Sequence, residues 1–259
     1  MSASEPLKID LTERFDHLSK SPIVEAVIGI TARPSIVLEE ATLMERLKTK
    51  IPDYPKREAT KSLLHQIRFE KATPEHYSEE DWHGINCTSG DGKQIARFER
   101  DGFVFSRLSP YEDWQHFSSE ALRLWSIYCE IAKPLEIQRL GVRFINRIDI
   151  LPGATSMAEV LNFPPKSPIA EKTPMFGFLH QDTFSVPELE LALQLIKTIQ
   201  PTQGDGTKQF ALIVDFDVFT TTPFEFRENT VRDRLQKITW LKNKAFFGTF
   251  KPEILKSFK

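Results

Sequence analysis

A chain of 259 residues with 40% hydrophobic and 27% charged content has ample material for a buried core. Its formal net charge of -2 argues against an affinity built on broad phosphate neutralisation, because such domains are strongly basic. No apolar run approaches the ~18 residues that a membrane-spanning helix needs. Cys87 and Cys129 form no CxxC pair and no apolar signal segment follows Met1, a combination expected of a protein of the reducing cytoplasm.

Residues 1–20 mix charge with scattered apolar positions (Leu7, Ile9, Leu11, Phe15, Leu18) and read as a loosely ordered lead-in suited to covering a sheet edge. Residues 23–31 read as a strand. Ser35 then caps a predicted helix on Leu38, Ala41, Met44, Leu47 and Ile51, which Pro52 and Pro55 end. A second strand is predicted over 63–70, then a polar loop to His83. Short antiparallel strands follow at 85–88, 94–99 and 103–108, with Ser89-Gly90-Asp91-Gly92 as a hairpin turn. Ser109-Pro110-Tyr111-Glu112 has the form of a capping box with proline at the first helical position. The helix it opens runs through Ala132 on Trp114, Phe117, Ala121, Leu124, Trp125, Tyr128 and Ile131, and Pro134 terminates it.

Residues 136–151, EIQRLGVRFINRIDIL, alternate with period two. Leu140, Val142, Phe144, Ile148 and Ile150 share one side with Asn146, while Arg139, Arg143, Arg147 and Asp149 share the other. This is the pattern of a long central strand with one apolar face. The arginine Cα atoms then stand roughly 13 Å apart at a rise of about 3.3 Å per residue. The run Leu140-Gly141-Val142-Arg143-Phe144-Ile145-Asn146-Arg147-Ile148, together with Ser21-Pro22-Ile23-Val24-Glu25-Ala26-Val27, resembles a sporadically distributed bacterial family of similar length and unknown function. The resemblance implies a bacterial accessory protein and brings no established site residues with it.

In the second half, Ser156 with Glu159 opens a short predicted helix, and a segment with Pro164, Pro165, Pro168 and Pro174 forms an irregular insert. Strands are predicted over 176–185, 188–199 and 209–219. Thr222-Pro223-Phe224-Glu225 repeats the capping pattern ahead of a last helix on Val231, Leu235, Ile238, Leu241 and Ala245. The turn Gly90-Asp91-Gly92 recurs at Gly204-Asp205-Gly206, and the two recurrences have nearly equal offsets. The expected fold is therefore α+β: an internally duplicated β-α-β-β-β-α unit, with an extended antiparallel sheet and long helices on one face. The lead-in ends at residue 20, the first repeat covers 21–134 and the second 135–259, in one globular body.

No catalytic signature is present. Neither HExxH nor GxSxG occurs, Gly90-Asp91-Gly92-Lys93 lacks the spacing of a phosphate loop, and the histidines show no metal-ligand spacing, so neither a cofactor nor a metal is expected. Arg139, Arg143 and Arg147 are the candidate ligand-binding residues, since a guanidinium fork matches carboxylate or phosphate, with Glu25 as their acidic companion. The same arginines suit a cross-strand charge ladder better still, since neighbouring strands offer Glu25, Glu70, Glu99, Asp215 and Asp217. Asp215 and Asp217 share a strand face without a third ligand spaced for a metal. Ala245-Phe246-Phe247 with Phe250 and Phe258 either anchors a partner or folds back onto the helices. The expected function is a non-enzymatic binding or regulatory protein whose polar, concave sheet face holds a protein partner or an anionic ligand. The alternatives are an enzyme using a Glu/Arg site on a small anion, and a nucleic-acid-binding saddle that the acidic balance disfavours.

Overall fold

Alternation of burial along the first strand shows how the sheet acquires an inside: from Ile23 onward Ala26, Ile28, Ile30 and Ala32 are buried and the residues between them are not. The computed structural model describes residues 7–68, 75–150, 157–165, 177–202 and 209–259. In chain order the elements are β1 (Ile23–Pro34), α1 (Glu40–Lys50), β2 (Lys56–Arg68), β3 (Glu75–Thr88), β4 (Gln94–Glu99), β5 (Gly102–Leu108) and α2 (Trp114–Ala132). Then come β6 (Pro134–Ile150), α3 (Met157–Val160), β7 (Leu179–Val186), a 3-10 turn (Pro187–Leu189), β8 (Leu191–Thr202), β9 (Gln209–Thr220), β10 (Phe224–Glu225), α4 (Glu228–Thr249) and α5 (Pro252–Ser257). The strands form an antiparallel sheet in the order β2-β3-β4-β5-β1-β6-β9-β8-β7, with β10 beside β6, so the chain is α+β. The described residues group into two compact units, one within residues 24–141 and 222–226, the other within residues 7–23, 142–221 and 227–259.

In the first unit, α2 lays Phe117, Ala121, Leu124, Trp125, Tyr128 and Ile131 onto the sheet. Phe105 stacks on Phe117 at 5.5 Å between centroids, and Phe103 meets Trp125 at 6.2 Å. The helix begins one turn later than the Ser109-Pro110 pattern predicts, because Asp113 takes the cap: its carboxylate accepts from the His116 backbone N–H at 2.8 Å. It stops at Lys133, which adopts φ 47, directly before Pro134. Ser35 does not cap α1 either; its hydroxyl donates to Lys133 O at 2.7 Å, and α1 starts after Glu39 with Leu43 and Leu47 inward instead of Ala41 and Met44. From Glu75 onward the predicted loop before His83 is ladder, with β2 and β3 paired over most of their length; residues 69–74 lie outside the described residues.

In the second unit, α4 buries Val231, Leu235, Ile238, Leu241 and Phe246. Phe246 packs on Phe216 of β9 at 5.9 Å. The C-terminal aromatics fold back: Phe246 lies 5.0 Å from Phe250, Phe250 lies 6.1 Å from Phe258, and all three are buried. The lead-in holds on to α4, with Phe15 stacked on Phe247 at 5.4 Å and Glu13 accepting from Trp240 Nε1 at 3.2 Å and Lys244 Nζ at 2.7 Å. The second capping pattern also fails, since Phe224 and Glu225 pair with Ile137 and Glu136 as β10 and α4 begins after Arg227.

The internal duplication is not confirmed. Between the recurring turn and cap motifs the first half folds into two strands, β4 and β5, whereas the second half contains the single strand β9. Residues 204–208, which carry the second turn motif, and Ser156 lie outside the described residues, as do Pro168 and Pro174.

Because Asp113 carries the N-cap contact, Asp113→Ala should lower stability by about 0.5–2 kcal/mol in urea denaturation, while Ser109→Ala should change it by less than about 0.5 kcal/mol. Equal losses in the two variants would return the cap to Ser109.

Candidate functional site

The long strand β6 divides as its sequence implies for most of its length. Leu140, Val142 and Phe144 are buried; Ile148 is half-buried, and Arg143 and Arg147 are exposed. Asn146, fully buried, donates from Nδ2 to Phe144 O at 3.2 Å and Val214 O at 3.0 Å, so its amide satisfies two ladder carbonyls.

The candidate arginines do not converge. Arg143 grips Asp215 through Nε, 3.0 Å from each carboxylate oxygen, and through Nη2 at 2.6 Å from Oδ2. Arg147 pairs along its own strand with Asp149 at 3.1 Å. Arg139 folds its guanidinium back over Gly141, where an added Cβ would lie 2.6 Å from Nη1. The Glu25 side chain, on a ladder residue opposite Leu108, makes no hydrogen bond or ion pair among the described residues. The pair that matters energetically is Arg143–Asp215: the Asp215 side chain is 8% exposed and the Arg143 side chain 49%. A nearly buried carboxylate needs that partner, whereas Arg147–Asp149 is open to solvent.

A concave site lies within the first unit. A cleft of about 640 Å³ is lined by Pro34, Val37, Leu38, Asp81, His83, Glu99, Arg100 and Asp101. Its geometry starts from one extra residue. Thr60 faces Gly84 but Lys61 faces Trp82, so His83 has no partner on β2 and bulges out of register. The next residue has to be glycine, because a Cβ on Gly84 would lie 2.4 Å from Phe98 O and 2.8 Å from Glu99 Cα. Close approach of β3 to β4 brings the bulge beside Glu99, and Arg100 N donates to His83 O at 2.9 Å.

Around the bulge, His83 Nε2 and Ser62 Oγ share a hydrogen bond of 2.7 Å. Arg100 Nη1 donates to Asp81 Oδ1 at 2.9 Å and to Trp82 O at 3.2 Å. Burial pushes the Glu99 carboxyl above the usual carboxylate range; Arg97 pulls it down, Asp101 adds to the rise and His83 opposes it. With Arg100 committed to Asp81, the cleft presents Glu99 and Asp101, neither of which makes an ion pair among the described residues, beside the apolar wall of Pro34, Val37 and Leu38. Val37 is 84% exposed.

The Ser62–His83 contact invites comparison with a nucleophile and its base, but the third member is too far. His83 Nδ1 stands 3.9 Å from Asp81 Oδ2, beyond hydrogen-bond reach, so no carboxylate holds the ring's tautomer. Cys87 offers no alternative nucleophile, because burial pushes its thiol up to about 12. Among the described residues no cluster of three His, Cys, Asp or Glu side chains is arranged to hold a metal.

No protein-family model matches the chain, and no curated protein matches it. The functional reading therefore rests on this geometry.

Two outcomes follow from the charges. Arg143→Ala should cost about 1–3 kcal/mol in chemical denaturation, since it strands the Asp215 carboxylate, and Arg147→Ala less than about 1 kcal/mol. For Glu99 the folded state favours the protonated form, so its ionisation works against folding at neutral pH. Glu99→Gln should then be at least as stable as the parent at neutral pH, and the gap should close as the pH falls and the native carboxyl takes up its proton. A gap that widens toward acid would show a carboxylate stabilised by its surroundings.

Proposed function

We propose that the protein is a non-enzymatic binding or regulatory module, and that the cleft beside the His83 bulge is where it holds its ligand. The observation that carries this reading is the combination of a volume of about 640 Å³, ordinary for a small-molecule site, with one apolar wall and two carboxylates that have no ion-pair partner among the described residues. The chemistry that fits is a basic group on an apolar stem: a small alkylamine, or the lysine or arginine side chain of a protein partner. The stem would lie against Pro34, Val37 and Leu38 and the charged head against Glu99 and Asp101. Bringing a cation to Glu99 offsets the burial that raises its pKa, so such a ligand favours the ionised carboxylate.

The exposed side of β6 is a second surface to weigh, and it suits an acidic partner less well. A carboxylate ligand reaching Arg143 competes with an Asp215 already held through three contacts, and hydrogen bonds to charged groups are each worth roughly 1.5–3 kcal/mol. The cleft requires no such exchange.

The test compares isobutylamine with isovalerate, a carboxylate with the same branched hydrocarbon, by ligand-observed NMR, with a lysine-containing peptide as a third probe. The amine and the peptide should bind, isovalerate should not, and Glu99→Gln should weaken the amine about tenfold or more, the loss of one charge-assisted contact. Preference for isovalerate, or amine binding unchanged by Glu99→Gln, would overturn the assignment.

A further inference from the structure

In the first unit a chain reversal is bonded onto a helix terminus. The last carbonyls of α2 have no partner within the helix, and the residues after β1 take them up: Ser35 N donates to Ala132 O at 3.1 Å and to Lys133 O at 3.2 Å, Ile36 N to Ala132 O at 3.3 Å, and Ser35 Oγ to Lys133 O at 2.7 Å. Residues 35–36 are thereby held against the helix end where the chain turns through Lys133 into β6. Ile36, Val37 and Leu135 all lie within two residues of this junction, and they are 41%, 84% and 55% exposed. Among the described side chains they are the exposed large apolar ones of the first unit, so they are gathered at one place instead of scattered over its surface.

Val37 belongs to this junction and also lines the cleft with Pro34, Leu38, Glu99 and Asp101, so the two features share a residue. Ile36 and Leu135 do not line the cleft, and a ligand small enough to fit inside it leaves both in water. Apolar side chains presented by a hydrogen-bonded backbone lose little freedom when something covers them. Charge narrows what that is. Glu99 and Asp101, without ion pairs among the described residues, attract a cation and repel phosphate, which disfavours nucleic acid and an anionic membrane surface alike. The basic groups at the junction set the direction: Lys133 is exposed, and Arg33 pairs with Glu136 at 3.7 Å, so a partner's cation belongs over the cleft and its apolar residues over the junction.

Resting on the assignment of the cleft as a cation site, we propose that the occupant is a polypeptide segment with a lysine or arginine set among large apolar residues: its cation enters the cleft, and its apolar side chains cover Val37, Ile36 and Leu135. The two contacts support each other. Covering the junction removes apolar surface from water, and excluding water beside the cleft strengthens the attraction between the cation and the Glu99 and Asp101 carboxylates. A free alkylamine gains only the second contact, so the polypeptide is held more tightly than the amine that mimics its head.

The probe is a fluorescein-labelled nine-residue peptide with a central lysine, leucine at every second position on either side and serine elsewhere, titrated with the full-length protein and followed by anisotropy. It should bind about tenfold or more tightly than the same peptide with serine in place of every leucine, and replacing its lysine with glutamate should abolish binding. Leu135→Ser and Ile36→Ser, both exposed positions outside the cleft lining, should weaken the leucine peptide about fivefold or more while isobutylamine binds each variant as it binds the parent. Equal affinity for the leucine and serine peptides, or a leucine peptide indifferent to Leu135→Ser, would overturn the proposal while isobutylamine binding still upholds the cleft as a small-amine site. Failure of isobutylamine and both lysine peptides would remove the cation site and this proposal together. A concentration-dependent dimer in sedimentation that Leu135→Ser abolishes would also overturn it, by giving the surface to a second copy of the chain.

Discussion

Leu140, Val142 and Phe144 are buried together on β6, and this one constraint distributes the chemistry of the strand. Side chains alternate across a pleated strand, so once these three point inward Arg139, Arg143 and Arg147 must point out, and Asn146 must go in. The consequences differ in kind. Outward charges are cheap and find local partners, as Arg143 does in Asp215. The inward amide has to be satisfied where it lies, and it is half satisfied: Nδ2 covers two carbonyls of the ladder while Oδ1 remains unpaired. Along a single row, then, the strand carries buried apolar side chains and one buried amide whose acceptor is unpaired.

Much of the fold could be read from periodicity where apolar residues report burial. β6, β9, α2 and α4 all show it, because each places hydrophobic residues on one side of a repeat that solvent exposure enforces. β2 and β3 show it only in part, over 63–68 and 85–88: the rest of KREATKSLLHQIR and EHYSEEDWHGINCT holds too few apolar residues to mark a face, and its pairing is a property of the ladder more than of its side chains. The helix starts failed for a different reason. A capping pattern states which side chain is able to cap, not which backbone groups are still free, and at Thr222 the chain was already committed to β10 while at Ser109 Asp113 stood closer to the helix.

The candidate site was harder to see because its parts are assembled by register. His83 read as a loop histidine, and only the one-residue offset between Thr60 and Lys61 aims it into a cleft. The sequence did hold one signal: Gly84, a lone glycine within an extended stretch, marks a bulge or a close backbone approach, and here it marks both.

The charged groups around Arg143 and those around His83 answer opposite requirements. Around Arg143 the acidic group is nearly buried and the basic group reaches it with a fork, so the contact is complete and its contribution goes to folding. Around His83 the count does not close. Arg100 is spent on Asp81, the His83 ring spends Nε2 on Ser62, and Glu99 is half-buried with a pKa that burial raises. Surface ion pairs contribute little to stability, so a protein loses little by leaving such carboxylates open. A half-buried carboxylate with no ion pair among the described residues, beside an apolar wall, is a cost to folding that a cation placed against it would offset, whereas the Arg143–Asp215 contact meets its cost within the fold.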